Sequence, residues 1–183
     1  MKTLVTGAAS GIGKYLVREF NADSFTRANT LEDIRNNGYD LIIHCATNHC
    51  HNITSQNISD VYEDNLFLTH GLASIANAKA IFVYFSSIEV YPSKNNYIFD
   101  EEEIIPVDRS INLYGLTKLM GEQIVSRTCE KHVIIRPGLL IGEFMRPNSL
   151  SKVIDWRSRP NKISLSHDSE FYIVSYEEVL LLS

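Results

Sequence analysis

The chain has 183 residues, 44% hydrophobic and 21% charged, so at roughly 150 residues per domain it is expected to form one compact domain with an appendage and a real core. Seventeen Lys and Arg against 22 Asp and Glu give a formal charge of −5, which excludes a global field for nucleic acid or anionic membrane. The longest apolar run, residues 80–85, is far below the roughly 20 residues that span a bilayer, no secretory leader precedes Gly7, and Cys45, Cys50 and Cys129 lack framework spacing; a cytoplasmic protein with reduced thiols is expected.

In chain order, residues 3–6 read as a short strand running into Gly7, and Ile12, Leu16, Val17 and Phe20 give helical spacing over 12–20. A second strand is expected over 24–27, a helix over 31–37 and a buried strand over 39–46. Residues 60–78 carry a helical pattern through Val61, Leu66, Leu68, Leu72, Ile75 and Ala76, followed by an apolar strand over 80–85 and then Ser86-Ser87. The polar stretch 92–111 reads as a long surface connection, 112–129 as a helix and 132–136 as a strand. After Gly142 the pattern weakens: 149–156 reads as helical, 162–165 and 170–174 as extended, and 176–182 as the start of a helix. Alternating strands and helices predict an open, mostly parallel sheet covered by helices on both faces. The boundary falls after Gly142, giving one domain over 1–142 and a smaller region over 143–183.

Between the first strand and first helix lies Thr6-Gly7-Ala8-Ala9-Ser10-Gly11-Ile12-Gly13. Glycines here permit a tight turn, backbone approach to a pyrophosphate and close helix packing, while free N–H groups at a helix start favour an anion. Gly7, Ser10, Gly11, Ile12 and Gly13 are therefore candidate nucleotide contacts. At the tip of the second strand, where an acid suits a ribose 2′-hydroxyl and an arginine a 2′-phosphate, the chain carries Thr26-Arg27. Arg27 favours NADP over NAD; a solvated surface arginine is its other reading.

Tyr114 and Lys118 are four residues apart and share a helix face. A tyrosine serves as general acid or base near neutral pH only if its phenolate is stabilised, and the Lys118 ammonium is placed to do so. Ser87 follows a parallel strand, putting a hydroxyl at the sheet edge where ligands of this architecture collect.

Taken together, the glycine turn, Phe85-Ser86-Ser87-Ile88-Glu89-Val90-Tyr91, Tyr114-Gly115-Leu116-Thr117-Lys118 with Gly121-Glu122, and Ile135-Arg136-Pro137-Gly138 resemble the short-chain dehydrogenase/reductase superfamily. More narrowly they resemble its extended branch, the NAD-dependent epimerase/dehydratase family, whose members mostly modify nucleotide sugars. The resemblance implies a Rossmann-type fold, NADP or NAD as cofactor and a small sugar-like substrate. It makes Tyr114 the catalytic acid/base, Lys118 the holder of the nicotinamide ribose, Ser87 the hydrogen-bond donor to the reacting oxygen and Asn65 the helix asparagine that positions the site. It also puts Ala46 on the adenine side and Pro137 beside the nicotinamide, and implies a homodimer through a four-helix interface.

Departures accompany the resemblance. The turn is G-x-x-x-G-x-G, and only 36 residues separate Gly7 from Ile43, so a strand and helix of the usual nucleotide half are missing. Ser87 is followed by Ile88 and not Asp, which argues against water elimination. The segment from Phe171 to Val179 resembles one after which family members continue for a substrate-binding region. The reading is an oxidoreductase exchanging hydride with a sugar alcohol or ketone; the alternative is a catalytically weak dinucleotide sensor or a subunit dependent on a partner. His44, Cys45, His49, Cys50 and His51 invite a zinc reading that the absence of any C-x-x-C pair opposes. Trp156 with Arg157 and Arg159 reads as a surface cap or as a diphosphate contact.

Overall fold

The computed structural model describes residues 1–50, 52–92, 98–148, 150–151 and 171–181. Five strands, β1 (Thr3–Thr6), β2 (Asp23–Phe25), β3 (Leu41–His44), β4 (Ile81–Phe85) and β5 (His132–Ile135), form a wholly parallel sheet in the order β2-β1-β3-β4-β5. This is a Rossmann-like doubly wound sheet. Chain order reverses between β1 and β3, so the crevice where such sheets bind ligands opens beyond Thr6 and His44.

Strand alternation sorts the apolar side chains to two faces. Leu4, Ile42, Phe82 and Tyr84 meet Leu72, Ala73 and Val125 on one side. Val5, Ile43 and Phe85 meet Ile12, Leu16, Tyr176 and Val179 on the other. The first set is covered by α3 (Leu68–Ile75) and α4 (Leu113–Thr128), the second by α1 (Gly11–Phe20) and α5 (Tyr176–Leu181). Local chemistry sets the helix ends. Asn21, left-handed at φ 46°, closes α1; the Asn112 side chain accepts from the Gly115 N–H at 2.8 Å to open α4; Ser175 and Glu178 form a reciprocal capping box on α5, at 2.7 and 3.1 Å.

Several expected elements differ. The helix expected over 31–37 is one 3₁₀ turn, Leu31–Asp33, because Asn37 turns its side chain back to the Asp33 carbonyl at 3.2 Å and Gly38 follows in a left-handed conformation. The second strand stops at Phe25, since the Asn29 side chain takes the Thr26 N–H and hydroxyl at 2.9 and 3.1 Å and bends the chain; Arg27 thus lies in a turn beyond it. The helix expected over 60–78 runs from α2 (Ile58–Tyr62) through a five-residue π turn, Glu63–Phe67, into α3. A short parallel pair, β6 (Leu139–Ile141) with β7 (Ile173–Ser175), follows β5; the extended reading of 170–174 overlaps β7, while β6 and the pairing are absent from the sequence reading. The readings of 162–165 as extended and of Trp156, Arg157 and Arg159 as a cap or phosphate contact lie outside the described residues, as does most of the helix expected over 149–156. Among the described residues no helix is long and apolar enough to cross a membrane.

Candidate functional site

At the switch point the chain leaves β1 through Gly7, which is left-handed at φ +71°. A Cβ on Gly7 would lie 2.8 Å from the Ala46 backbone nitrogen and one on Gly13 would lie 2.5 Å from the Gly7 carbonyl. Only hydrogen fits at either place, so backbone packs on backbone and α1 starts hard against the turn. Ser10 takes the N-cap position of α1 in extended conformation, without a side-chain capping bond, and Gly11 follows at φ +60°. The Ser10 hydroxyl accepts from Arg146 Nε and the Gly11 N–H donates to the Phe144 carbonyl, each at 2.7 Å.

Ser87, Tyr114 and Lys118 line a cavity of about 410 Å³ together with Ile12 of the glycine turn, Thr47, His49, Glu89 and Pro137. Ser87 opens the 3₁₀ turn Ile88–Val90 and its Oγ accepts from the Glu89 N–H at 3.1 Å. α4 comes close to that turn because Gly115 sits on the Glu89 carbonyl, where a side chain would collide. Tyr114 is 6% exposed; desolvation pushes its hydroxyl up to about 12, while side-chain hydrogen bonds with Thr47 and Ser87 pull the other way. The phenol is therefore protonated at neutral pH and faces the cavity with a proton to give. Lys118 is 2% exposed, and burial brings its ammonium down to about 8. Its Nζ donates to the Phe85 carbonyl at 2.6 Å and lies 4.7 Å from the Tyr84 ring centroid. The His49 ring lies edge-on to Tyr114, with centroids 4.3 Å apart.

Asn65 is 2% exposed on the π turn, a feature that often marks functional positions because it turns one extra residue inward. Its Oδ1 accepts from the Asn48 N–H at 2.7 Å and the Thr47 hydroxyl at 3.2 Å, and its Nδ2 donates to the Thr117 hydroxyl at 3.0 Å and the Asn48 carbonyl at 3.2 Å. Asn65 thereby ties the segment after β3 to α4 one turn from Tyr114. Arg27 stands apart from the cavity, 84% exposed and paired with Asp64 at 2.9 Å. Pro137 and Gly138 line the cavity, and the Pro137 carbonyl accepts from the Ile88 N–H at 3.1 Å.

Two buried networks escaped the sequence reading. His44, fully buried, contacts Thr6 Oγ1 through Nδ1 at 2.6 Å and Thr69 Oγ1 through Nε2 at 2.8 Å. The Thr6 Oγ1 accepts from the Ala46 N–H at 3.1 Å and the Thr69 hydroxyl donates to the Asn65 carbonyl at 2.8 Å. This order assigns the proton to Nε2, so a neutral ring links Ala46 to Asn65 and both nitrogens are committed to hydroxyls. Glu122, 2% exposed, accepts from the Ser86 hydroxyl at 2.5 Å and from Arg136 at 2.9 and 2.8 Å, a bidentate pair beneath Ser87.

Burial holds His44 well below its ordinary value, at about 3. The unfolded chain accepts a proton near pH 6.5 that the native ring refuses until about 3, so this group's stabilisation is full above pH 6.5 and is lost as the pH falls. Between pH 6.5 and 5 urea titrations should show stability dropping by up to about 1.4 kcal/mol per pH unit from this group. A folded His44→Leu variant should show a slope smaller by that amount; an unchanged slope would refute the assignment.

The profile of the NAD dependent epimerase/dehydratase family matches residues 3–168. Among curated proteins, the chain is 24% identical over 162 residues to methionine adenosyltransferase 2 subunit beta of Danio rerio, covering 78% of this chain and 49% of that one. To the Bos taurus protein of that name it is 26% identical over 171 residues, covering 79% and 48%; the chain spans about half the length of these relatives. Among solved structures, a dTDP-4-dehydrorhamnose reductase from Yersinia enterocolitica superposes with TM-score 0.81 at 24% identity, covering 97% of this chain and 67% of that one. A UDP-glucuronic acid 4-epimerase from Bacillus cereus, solved with UDP-glucuronic acid and NAD, superposes with TM-score 0.79 at 19% identity, covering 98% and 71%. With the family profile running from β1 past the glycine turn, the Ser87 turn and α4, the chain belongs to the NAD-dependent epimerase/dehydratase family.

Proposed function

We propose that the chain binds NAD or NADP across the glycine turn and carries out hydride exchange on a sugar-like alcohol or ketone, a nucleotide sugar being the substrate class in view. The observation that carries this reading is the convergence of Ser87, Tyr114 and Lys118 with Ile12 of the turn on one cavity. The residues present fit a dinucleotide: with only hydrogen at Gly7 and Gly13, α1 starts hard against the end of β1 at the switch point of the sheet, where such ligands collect, and Ile12 of that turn lines the cavity. A bound nicotinamide would supply or accept the hydride.

The chain's own residues supply the proton chemistry. Ser87 and Tyr114 present two hydroxyls to a carbonyl oxygen entering the cavity. Tyr114, protonated at neutral pH, donates its proton as the oxygen gains charge in reduction, and takes one in the reverse direction. Lys118, still largely charged at pH 7 with its value near 8, offsets the phenolate that remains. Asn65 acts through Thr47 and Thr117 as a positioning residue. Solved relatives in fold carry either cofactor: the Bacillus cereus epimerase holds NAD and a Bacillus anthracis dTDP-4-dehydrorhamnose reductase, of TM-score 0.71, holds NADP. The exposed guanidinium of Arg27 supports NADP, with a 2′-phosphate displacing Asp64. A Phe67 that is 61% exposed and a Met120 that is 53% exposed, on packed neighbouring helical segments, support a homodimer.

A second reading, a dinucleotide-binding subunit that acts through a partner with little turnover, draws on the curated relatives, whose shared name is that of a subunit. Thermal-shift titration tests the common foundation. Ligand at 100 times its dissociation constant stabilises the native state by about 2.7 kcal/mol, so NAD(H) or NADP(H) should raise Tm. Arg27→Ala should weaken NADPH about tenfold and NADH hardly at all; equal affinity of wild type and variant for NADPH would remove Arg27 from the site.

A further inference from the structure

The glycine turn is overlain by residues 142–146. Phe144 is left-handed at φ 67°, a conformation that is unfavourable for a bulky residue and persists only where its surroundings over-determine it. Its surroundings do so: the Phe144 carbonyl takes the Gly11 N–H, its ring lies 4.4 Å from Lys14 Nζ, and Glu143 pairs with Arg18 at 2.5 Å. The outcome of this strained turn is that Arg146 lands on the helix start, with Nε donating to Ser10 Oγ at 2.7 Å. Arg146 is exposed, and among the described residues its Nη groups have no partner. The neighbouring cations are otherwise engaged, Lys14 over the Phe144 ring and Arg18 with Glu19 and Glu143.

We infer that Arg146 is the pyrophosphate clamp of this site: held by Ser10 through Nε, its guanidinium offers the remaining donors to the diphosphate of the dinucleotide. Such a clamp complements a turn in which the Gly11 N–H is already committed to the chain itself. A planar guanidinium forks onto two phosphate oxygens, and a charge-assisted contact of this kind is about twice as strong as a neutral one. The inference rests on the proposal that the chain binds NAD(P).

Isothermal titration of the full chain with NADH and with ADP-ribose, which keeps the pyrophosphate and lacks the nicotinamide, separates the two. Arg146→Gln retains a donor for Ser10 and loses the charge. It should bind both ligands about tenfold more weakly, with a shallower salt dependence and an unliganded Tm equal to wild type. Arg146→Lys, which keeps charge without the fork, should fall between. Undiminished affinity of the Gln variant, with wild type binding normally, would overturn the clamp and leave cofactor binding standing. Equal loss in both variants accompanied by a lowered unliganded Tm would overturn it too, showing that Arg146 only pins the strained turn. A wild-type chain that binds neither ligand would refute the cofactor reading and the clamp with it.

Discussion

Replacing Tyr114 with phenylalanine should lower kcat by about 10²–10⁴, the usual contribution of a positioned general acid or base, while dinucleotide affinity stays within about twofold. The variant removes one hydroxyl and keeps the ring, so the edge-on contact with His49 at 4.3 Å and the packing of α4 survive. What disappears is the proton. With its hydroxyl pushed up to about 12 by burial, Tyr114 stays protonated through the neutral range, and the Thr47 and Ser87 hydrogen bonds moderate that shift. Turnover is read as NAD(P)H absorbance with 4-keto sugar nucleotides. A loss in kcat with KM little changed would mean that the hydroxyl acts in the transition state and not in binding. Retention of kcat within threefold would take Tyr114 out of the chemistry, whereas a wild-type chain that binds the dinucleotide without turnover would leave the partner-dependent subunit as the better reading.

Features set by local spacing were legible in the sequence. The i, i+4 separation of Tyr114 and Lys118 fixes their shared helix face whatever the tertiary context, and a strand-glycine-helix sequence fixes where the nucleotide turn lies. The alternation of apolar strands and helical segments predicts the parallel sheet. What escaped notice depends on strand order. Thr6 and His44 are 38 residues apart and His44 and Thr69 are 25 apart, and they meet only because β1 pairs with β3 and the following helices pack over them. His44 in sequence looks like a metal ligand beside Cys45; in the fold its ring is a buried neutral link between two hydroxyls. The π turn is equally silent, since the apolar period through Val61, Leu68 and Leu72 changes by a single residue there. Arg146 lies 136 residues from Ser10, and no local pattern announces their contact.

Arg136→Met should destabilise the native state by about 3–5 kcal/mol, the cost of leaving a buried charge without its partner. Glu122 is almost wholly buried, and Arg136 supplies two of the three hydrogen bonds recorded to its carboxylate, the third coming from Ser86. Methionine fills much of the arginine's volume but offers no donor, so the carboxylate would face Ser86 alone. The loss would be felt at the site. Arg136 also donates to the Tyr91 hydroxyl at 2.8 Å, so the pair joins α4, the end of β5 and the segment after Ser87 into one unit. Removing both charges should be far milder: Arg136→Met with Glu122→Leu leaves no stranded carboxylate, and apolar replacements of buried ion pairs are often neutral. Urea denaturation of the two variants distinguishes the cases. A single variant within about 1 kcal/mol of wild type would show that the carboxylate reaches water or a new donor, and that the Arg-Pro and Gly-Glu motifs are joined by something other than this pair.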